Sequence, residues 1–261
     1  MKKILAILIA VMIAVLPVIA IAEENLLEKI KAEGVLRVGT NSSHKPWAYK
    51  DENDEFVGCD MDLIREIASR IGVKVEITDM AFDALVAAVQ TGKVDCAICS
   101  MGAKPERREK VDFTQAYHSQ GNVLAVAKGS DLKLDDMYQM VDYKVGALVG
   151  SIPEAFVENL ISEGKMPEDN LYHYSSGEEM VLDLEAGRID IVAWDNATVR
   201  EYMKQYNIEI MLKCHFTDLG ENIAVPKNQP ELLSTFDGII DDLREEGYLE
   251  KLYIDWGVDQ E

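Results

Sequence analysis

The stretch Leu63–Ser100, LIREIASRIGVKVEITDMAFDALVAAVQTGKVDCAICS, decides the fold, because its hydrophobic period changes several times along its length. Apolar residues first recur at helical spacing up to Gly72, which stands where a C-terminal cap belongs. Val73–Ile77 then alternates as a strand, Phe82–Val89 is helical again, and Val94–Ser100 is an apolar strand. This alternation of helix and strand predicts an α/β unit with a largely parallel sheet.

The same pattern continues on both sides of this stretch. Val35–Gly39 is a compact strand before it. A second α/β unit follows it, with predicted strands and helices at Tyr143–Val149, Pro153–Ser162, Leu171–Tyr174, Gly177–Glu185 and Ile189–Trp194. Two α/β units of this size fit a chain of 261 residues that builds two packed cores.

Two extended apolar stretches, Asn122–Ala127 and Asn222–Pro226, stand before and after the second unit. They predict a chain that leaves a first lobe and later returns to it across a two-strand hinge. We therefore expect a first lobe of residues 23–121 and 222–261 and a second lobe of residues 122–221. The last helix, Glu231–Glu245, and the tail Tyr248–Trp256 are then expected to pack on the first lobe. Two lobes on a hinge can close around a ligand.

The N-terminus has the pattern of an export signal. Lys2 and Lys3 precede an apolar run, Ile4–Ala22, which ends in the A-x-A cleavage pattern Ala20–Ala22. The run is also close to the length of about 20 residues that a membrane span needs, so an uncleaved anchor is the alternative. Pro17 and the acidic residues directly after the run favour cleavage. We predict a signal peptide of residues 1–22, cleaved near Ala22, and a periplasmic or extracytoplasmic mature chain.

The negative charge of the chain argues against polyanionic partners. There are 47 acidic and 26 basic residues, and removal of the two signal lysines leaves a mature net charge of 24 − 47 = −23. A surface of this sign repels nucleic acid and anionic lipid. It does not identify a small cargo, because one buried cation can outweigh a surface field that salt screens over about 10 Å.

Four cysteines, Cys59, Cys96, Cys99 and Cys214, belong to a chain that is predicted to enter an oxidising compartment. A disulfide is permitted there but not required. Buried small residues, a structural disulfide, and redox or metal chemistry are the three interpretations, and the first is favoured because Cys96 and Cys99 lie in an apolar strand. The four histidines show no metal-ligand spacing with one another or with the cysteines. We predict no metal and no cofactor.

Several short motifs follow one another along nearly the whole mature chain. They are Leu36–Asn41 (LRVGTN), Pro46–Trp47, Gly58–Leu63 (GCDMDL), Gly92–Asp95 (GKVD), Met101–Arg107 (MGAKPER), Val111–Thr114 (VDFT), Lys144–Ser151 (KVGALVGS), Gly187–Asp190 (GRID) with Asp195, and Gly220–Lys227. In this order they resemble the signature of the polar amino acid solute-binding proteins of ABC importers. Each motif is weak by itself, and their shared order makes the resemblance specific.

This resemblance implies both a fold and a function. The fold is α/β, the two-lobed periplasmic-binding-protein fold (type II), with two Rossmann-like lobes joined by a two-strand hinge. The ligand is a free amino acid, and the partner is the membrane permease of an ABC importer. The resemblance further implies a monomer and no cofactor.

An α-amino acid carries a carboxylate and an ammonium close together, so its site needs a fixed cation and a fixed carboxylate. The resemblance gives the first role to Arg107, whose guanidinium can hold a carboxylate through two parallel bonds. It gives the second role to Asp195, which follows a predicted strand at the end where ligands bind in α/β sheets. The amides of Gly150–Ile152, at a helix start, are expected to add to the grip on the carboxylate. A surface ion pair and a helix cap are the simpler roles of Arg107 and Asp195.

The resemblance adds eight residues to the cleft: Asn41, His44, Trp47, Phe82, Ser100, Gly102, Ser151 and Ile152. Trp47 is expected to pack beneath the site more than to contact the ligand.

Four positions depart from the family pattern. Relatives usually carry a hydroxyl residue at Gly102, often threonine at Lys104 and Ile152, and often an aromatic ring at His44. At least one hydroxyl–ligand bond is therefore expected to be missing or replaced by water. A slot between His44 and Phe82 is expected to be flat and to suit a short or planar side chain.

Two other functions compete with the binding-protein hypothesis. Periplasmic dehydratases acting on cyclic carboxylates, such as cyclohexadienyl dehydratase, are similar to this family, and an elimination needs a general acid or base in the cleft. Glu178, Glu179 and His44 are candidates, but the sequence shows no carboxyl pair, triad or hydrolase motif. A receptor's sensing domain would need a membrane span after the domain, and none follows in this sequence.

Overall fold

The computed structural model describes residues 25–119 and 121–259, so the predicted signal peptide lies outside the described residues. The strands, in chain order, are β1 Val35–Thr40, β2 Ser43–His44, β3 Ala48–Lys50, β4 Phe56–Val57, β5 Lys74–Asp79, β6 Cys96–Gly102, β7 Asp112–Phe113, β8 Asn122–Ala127, β9 Val145–Leu148, β10 Leu171–Tyr174, β11 Ile191–Asp195, β12 Ile208–Cys214 and β13 Glu221–Val225. The α-helices are α1 Leu26–Glu33, α2 Cys59–Ile71, α3 Leu85–Gln90, α4 Pro105–Arg108, α5 Ile152–Ser162, α6 Gly177–Glu185, α7 Asn196–Tyr202, α8 Pro230–Glu245 and α9 Tyr248–Trp256.

Two five-stranded sheets have the same topology. The strand order is β5-β1-β6-β13-β7 in the first sheet and β10-β9-β11-β8-β12 in the second. In each sheet the first three strands are parallel to one another, and the fourth runs antiparallel to both of its neighbours. A small antiparallel sheet, β2-β3-β4, extends the first lobe.

Each sheet is covered by helices on both faces. Along β6, Cys96 and Ile98 point into one core, which they share with α2 and α8, while Ala97 and Cys99 point into a second core with α3. This alternation follows from the two-residue period of a strand. The second sheet separates two further cores in the same way. Burial on both faces explains why these strands are nearly continuous apolar runs in the sequence.

The chain crosses from the first sheet to the second after β7, and it returns after β12. The apolar stretches that the sequence suggests as crossings lie inside the sheets, as β8 and β13, because core residues cover both of their faces. An isolated antiparallel bridge between His118 and Glu221 holds the crossing region together. Within the described ranges, no helix is both long and apolar enough to cross a bilayer.

All four cysteines are free and buried, which contradicts the disulfide interpretation. Burial raises the pKa of the Cys214 thiol to about 12 and that of Cys96 well above its ordinary value. Protonated thiols are poor nucleophiles and poor metal ligands. Cys96 and Cys214 therefore pack as small apolar residues.

Helix α2 begins against the loop that carries His44 and Trp47. The amide of Asp60, in the first turn, donates to the carbonyl oxygen of Trp47 at 3.0 Å. Gly58 precedes the helix with φ +132°, and a Cβ atom there would lie 2.2 Å from the carbonyl oxygen of Trp47. Gly58 therefore lets the helix approach and position this loop.

We expect Gly58→Ala to lower the free energy of unfolding by about 3 kcal/mol or more, because strained backbone and a steric clash add up. Gly34→Ala is the matched control, since Gly34 has φ +73° but a Cβ atom there would have no neighbour within 4 Å. Its cost is about 1 kcal/mol, from the left-handed backbone alone. Urea unfolding of both variants measures the difference, and equal losses would contradict the role of the close approach at Gly58.

Candidate functional site

A cleft lies between the two sheets, at the ends of β6, β9 and β11, and its free space is about 70 Å³. Eight of the ten residues that the sequence suggests line it: His44, Phe82, Ser100, Gly102, Arg107, Ser151, Ile152 and Asp195. The other two lie behind the wall. Asn41 donates to the carbonyl of Met80 at 2.9 Å, and Trp47 is fully buried.

Arg107 is a buried cation in the cleft, only 7% exposed. The guanidinium donates from Nη1 to the carbonyl oxygen of Gly102 at 2.6 Å and from Nη2 to that of Gly150 at 2.7 Å. It also lies over the ring of Phe82, 5.2 Å from the centroid. Burial lowers the pKa of Arg107 to about 10, so the group stays charged at neutral pH. Among the described residues no carboxylate lies within 4.0 Å of it, so an anion in the cleft would offset the cost of its burial.

Lys104 reaches from the first lobe to the second. Its Nζ donates to the carbonyl oxygens of Gly150 at 2.9 Å and Ser151 at 3.3 Å, and it forms an ion pair with Glu106 at 3.1 Å. Burial and the neighbouring Arg107 lower the pKa of Lys104. Lys104 therefore bonds the two lobes to each other.

The loop before α5 uses two of its own amides. The Gly150 amide donates to Glu154 Oε2 at 2.5 Å, and the Ser151 amide donates to the carbonyl of Leu148 at 3.0 Å. The Ser151 hydroxyl caps α5 by accepting from the Glu154 amide at 3.2 Å. Two of the amides that the sequence suggests for carboxylate binding thus need a rearrangement of this loop before they can bind a ligand.

Asp195 ends β11 and caps α7, and it is buried. Its Oδ1 accepts from the amide of Thr198 at 2.8 Å and from Trp47 Nε1 at 3.4 Å, and its Oδ2 accepts from His44 Nε2 at 3.0 Å. Burial opposes ionisation, but the bonds and charge of His44 and the bond from Thr198 outweigh it, so the pKa of Asp195 lies below its ordinary value. Asp195 is both a helix cap and a buried anion.

His44, on β2 of the first lobe, is the cation that faces Asp195 of the second lobe. Burial opposes protonation, but the bonds and charges of Asp195 and Cys99 outweigh it, and the pKa of His44 lies well above its ordinary value. Its Nδ1 lies 3.8 Å from Cys99 Sγ. His44 and Asp195 therefore form a buried ion pair across the cleft.

The flat slot expected between His44 and Phe82 is not formed. The two ring planes are inclined by 50°, with centroids 6.5 Å apart. The bond to Asp195 turns the imidazole away, and its edge meets Trp194 at a centroid distance of 5.7 Å.

The cleft contains a second carboxylate, Glu221, which the sequence reasoning missed. Its Oε1 accepts from Ser100 Oγ at 2.7 Å, and its Oε2 faces His118 Nδ1 at 3.0 Å. Glu221 is buried, and it begins strand β13 (ENIAV) at the point where the chain returns to the first lobe. The signal available in the sequence was an acidic residue close before a run of apolar residues.

His118 joins Glu221 to the surface. Its Nε2 lies 2.6 Å from Asp259, whose side chain is 50% exposed. Burial opposes protonation of the ring, but the bonds and charges of Glu221 and Asp259 outweigh it and raise the pKa of His118 to about 9. The ring therefore carries a positive charge at neutral pH.

Gly102 and Ile152 meet across the cleft. A Cβ atom at Gly102 would lie 2.5 Å from Cδ1 of Ile152. Ile152 of the second lobe therefore fills the space beside Gly102 of the first lobe, so these two unusual residues contact each other.

One acidic cluster lies at α5 and β10. Ligand atoms of Glu154, Glu158 and His173 lie within 4.8 Å of one another. Glu154 already accepts from the Gly150 amide and contacts His173 Nδ1 at 2.6 Å. These contacts give Glu154 a structural role in the loop before α5.

Comparisons with known proteins agree on one family. The family model for bacterial extracellular solute-binding proteins, family 3, matches residues 36–259. The chain is 28% identical to the lysine/arginine/ornithine-binding periplasmic protein of Escherichia coli (strain K12), over 85% of this chain and 88% of that one.

Solved structures give the same result. An ancestral arginine-binding protein bound to arginine has a TM-score of 0.79 and 33% identity, covering 85% of this chain and 98% of that one. An ancestral amino acid-binding protein, a precursor of cyclohexadienyl dehydratase, has a TM-score of 0.79 and 28% identity, covering 89% and 99%.

The contact between Gly102 and Ile152 can be tested by a double-mutant cycle. We expect Gly102→Ala to destabilise the protein by about 1 kcal/mol, because the new methyl group displaces Cδ1 of Ile152. In an Ile152→Val background, which lacks that atom, the same change should cost close to nothing. Chemical denaturation of the four proteins measures the coupling, and additive losses would contradict the contact.

The charge on His118 makes a prediction about pH. Its folded pKa of about 9 lies above the ordinary value of 6.5, so its contribution to stability is complete below about pH 6.5 and lost as pH rises through 9. The stability difference between the wild type and His118→Gln should therefore shrink by about 2–3 kcal/mol from pH 6 to pH 10. His215→Gln, at an exposed histidine, is the control. A pH-independent difference would show that His118 acts without its charge.

Proposed function

Because the chain belongs to the bacterial extracellular solute-binding proteins, family 3, we propose that it captures a free amino acid between its lobes and delivers it to an ABC importer. The observation that carries this proposal is the buried Arg107 guanidinium, which faces the cleft with carbonyl partners only among the described residues. The family and the solved neighbours confirm the predicted two-lobed α/β fold.

The guanidinium of Arg107 has the geometry to hold the ligand carboxylate. Its two terminal nitrogens already donate to the carbonyls of Gly102 and Gly150, and a carboxylate can take both bonds in place of the two carbonyls. A carboxylate also supplies the negative charge that the two carbonyls lack, so the contact becomes a bidentate ion pair. The ammonium of the ligand enters a cleft that offers two carboxylates, Asp195 and Glu221.

Ligand binding is coupled to closure of the two lobes. Arg107 belongs to the first lobe and Gly150 to the second, so a ligand bound at Arg107 contacts both lobes only when they are closed. A ligand that binds the closed form better shifts the population toward it. The importer's permease is the partner that would recognise this closed form.

The location of the protein is part of the proposal. Its family is extracellular, and the relative in Escherichia coli is a periplasmic protein. Cleavage near Ala22 would release a monomeric chain with a strongly negative surface, which suits diffusion between a binding site and a membrane permease.

An elimination enzyme on the same scaffold is the second candidate. The observation that favours it is the neighbour described as a precursor of cyclohexadienyl dehydratase. His44, Asp195 and Glu221 line the cleft and are titratable, as a general acid or base must be. Turnover of a cyclic acid without stabilisation by any amino acid would favour this candidate over transport.

A thermal-shift screen of the twenty amino acids tests the proposed function. At a hundredfold excess over Kd, a bound amino acid should raise the melting temperature by about 5–10 °C. Arg107→Ala should abolish the shift, because it removes the carboxylate partner. Arg108→Ala is the matched control, since Arg108 does not line the cleft. The proposal fails if no amino acid stabilises the wild type, and the role of Arg107 is wrong if its variant keeps affinity within tenfold.

A further inference from the structure

Four charged side chains line the cleft within the described residues: His44, Arg107, Asp195 and Glu221. Arg107 accounts for the carboxylate of an amino acid. The ammonium could bond either carboxylate, Asp195 or Glu221, and the surroundings of these two groups differ.

Asp195 already has a cation. His44 Nε2 lies 3.0 Å from Oδ2, and Oδ1 accepts from Thr198 and Trp47. Three donors therefore bond the two oxygens, and the ion pair with His44 is neutral as a unit. An ammonium placed here would meet the imidazolium of His44 as a like charge, which disfavours it. His44 also contacts Cys99 Sγ through Nδ1 and interacts with the charge of Asp60. Neither interaction uses Nε2, which remains bonded to Asp195.

Glu221 lies in a region with surplus negative charge. It shares the single imidazolium of His118 with a second carboxylate, Asp259. A third carboxyl group, Asp60, is buried behind Ser100, where it accepts from the Ser100 amide at 2.7 Å. Burial and the charge of Glu221 raise the pKa of Asp60 to about 7. A cation bound at Glu221 would relieve repulsion among these groups.

The position of Glu221 relative to Arg107 suits a zwitterion. Strands β13 and β6 pair with Glu221 opposite Gly102, and Arg107 Nη1 donates to the carbonyl of Gly102 at 2.6 Å. The Cα atoms of directly opposed residues in an antiparallel pair lie about 4.5–5.5 Å apart. Ser100 Oγ, also in the cleft, donates to Glu221 Oε1 at 2.7 Å and so orients the carboxylate. The first lobe alone therefore offers a cation and a carboxylate at neighbouring positions.

We propose that Glu221 holds the α-ammonium of the ligand, and that the His44–Asp195 pair is a built-in bond between the lobes. This inference rests on the proposed function, in which Arg107 holds the carboxylate of an amino acid. The imidazolium of His44 supplies at Asp195 the cation that the ligand would otherwise bring. The ligand can then bind the first lobe through Arg107, Ser100 and Glu221 before the second lobe closes over it.

Pairs of probes that differ only in the α-substituent test this assignment. L-alanine with L-lactate, L-glutamate with L-2-hydroxyglutarate, L-histidine with L-imidazolelactate and L-arginine with L-argininic acid replace the ammonium by a hydroxyl group. Calorimetry at pH 7 gives the preference for the ammonium as the ratio of the two Kd values. We expect the wild type to prefer the ammonium at least 100-fold in the pair whose amino acid binds tightest.

Two isosteric variants separate the carboxylates. Glu221→Gln should reduce the preference for the ammonium at least tenfold, whereas Asp195→Asn should leave it within about threefold. His118→Gln keeps the Glu221 carboxylate and removes its histidine, so it should retain the full preference. This control separates loss of the carboxylate from disturbance of the network around it.

Each contrary outcome has a distinct meaning. Loss of the preference in Asp195→Asn, or equal loss in His118→Gln and Glu221→Gln, overturns the assignment to Glu221. Equal affinity of the wild type for both members of every pair also overturns it, because the ammonium is then not recognised. Failure of all amino acids to bind the wild type would instead overturn the proposed function itself.

Discussion

The positive charge of Arg107, buried between two lobes, is the constraint on which the rest of the cleft depends. A guanidinium this deep needs partners, and the protein supplies two carbonyls and the face of Phe82 but, among the described residues, no carboxylate. The Gly102 and Gly150 carbonyls satisfy hydrogen bonds without neutralising the charge. An anion brought by a ligand completes the site, and it does so at a place where both lobes meet.

The residues that the sequence analysis singles out as unusual for the family also make contacts between the two lobes. His44 pairs with Asp195, and Gly102 makes room for Ile152. Lys104 bonds the carbonyls of the loop before α5. Each contact joins the first lobe to the second without a ligand. Part of the closing energy is therefore built into the chain, and less of it has to come from the ligand.

Family membership and the surroundings of individual residues answer different questions. Membership identifies the class of protein. Local charge decides how each carboxylate can be used. The resemblance suggests Asp195 for the ammonium, yet a histidine already pairs with this carboxylate. The resemblance gives Glu221 no role in the cleft, yet negative charge is in surplus around this carboxylate.

The sequence by itself determined the two α/β units and singled out Arg107 and Asp195 as candidate site residues, because hydrophobic period and motif order are local properties of the chain. It placed β8 and β13 as crossings, since an apolar run does not reveal which sheet covers it. It missed Glu221 and the tilt of His44 for a related reason. Only the tertiary structure decides which charges meet, since Coulomb energy depends on distance and burial between residues that are far apart in the chain.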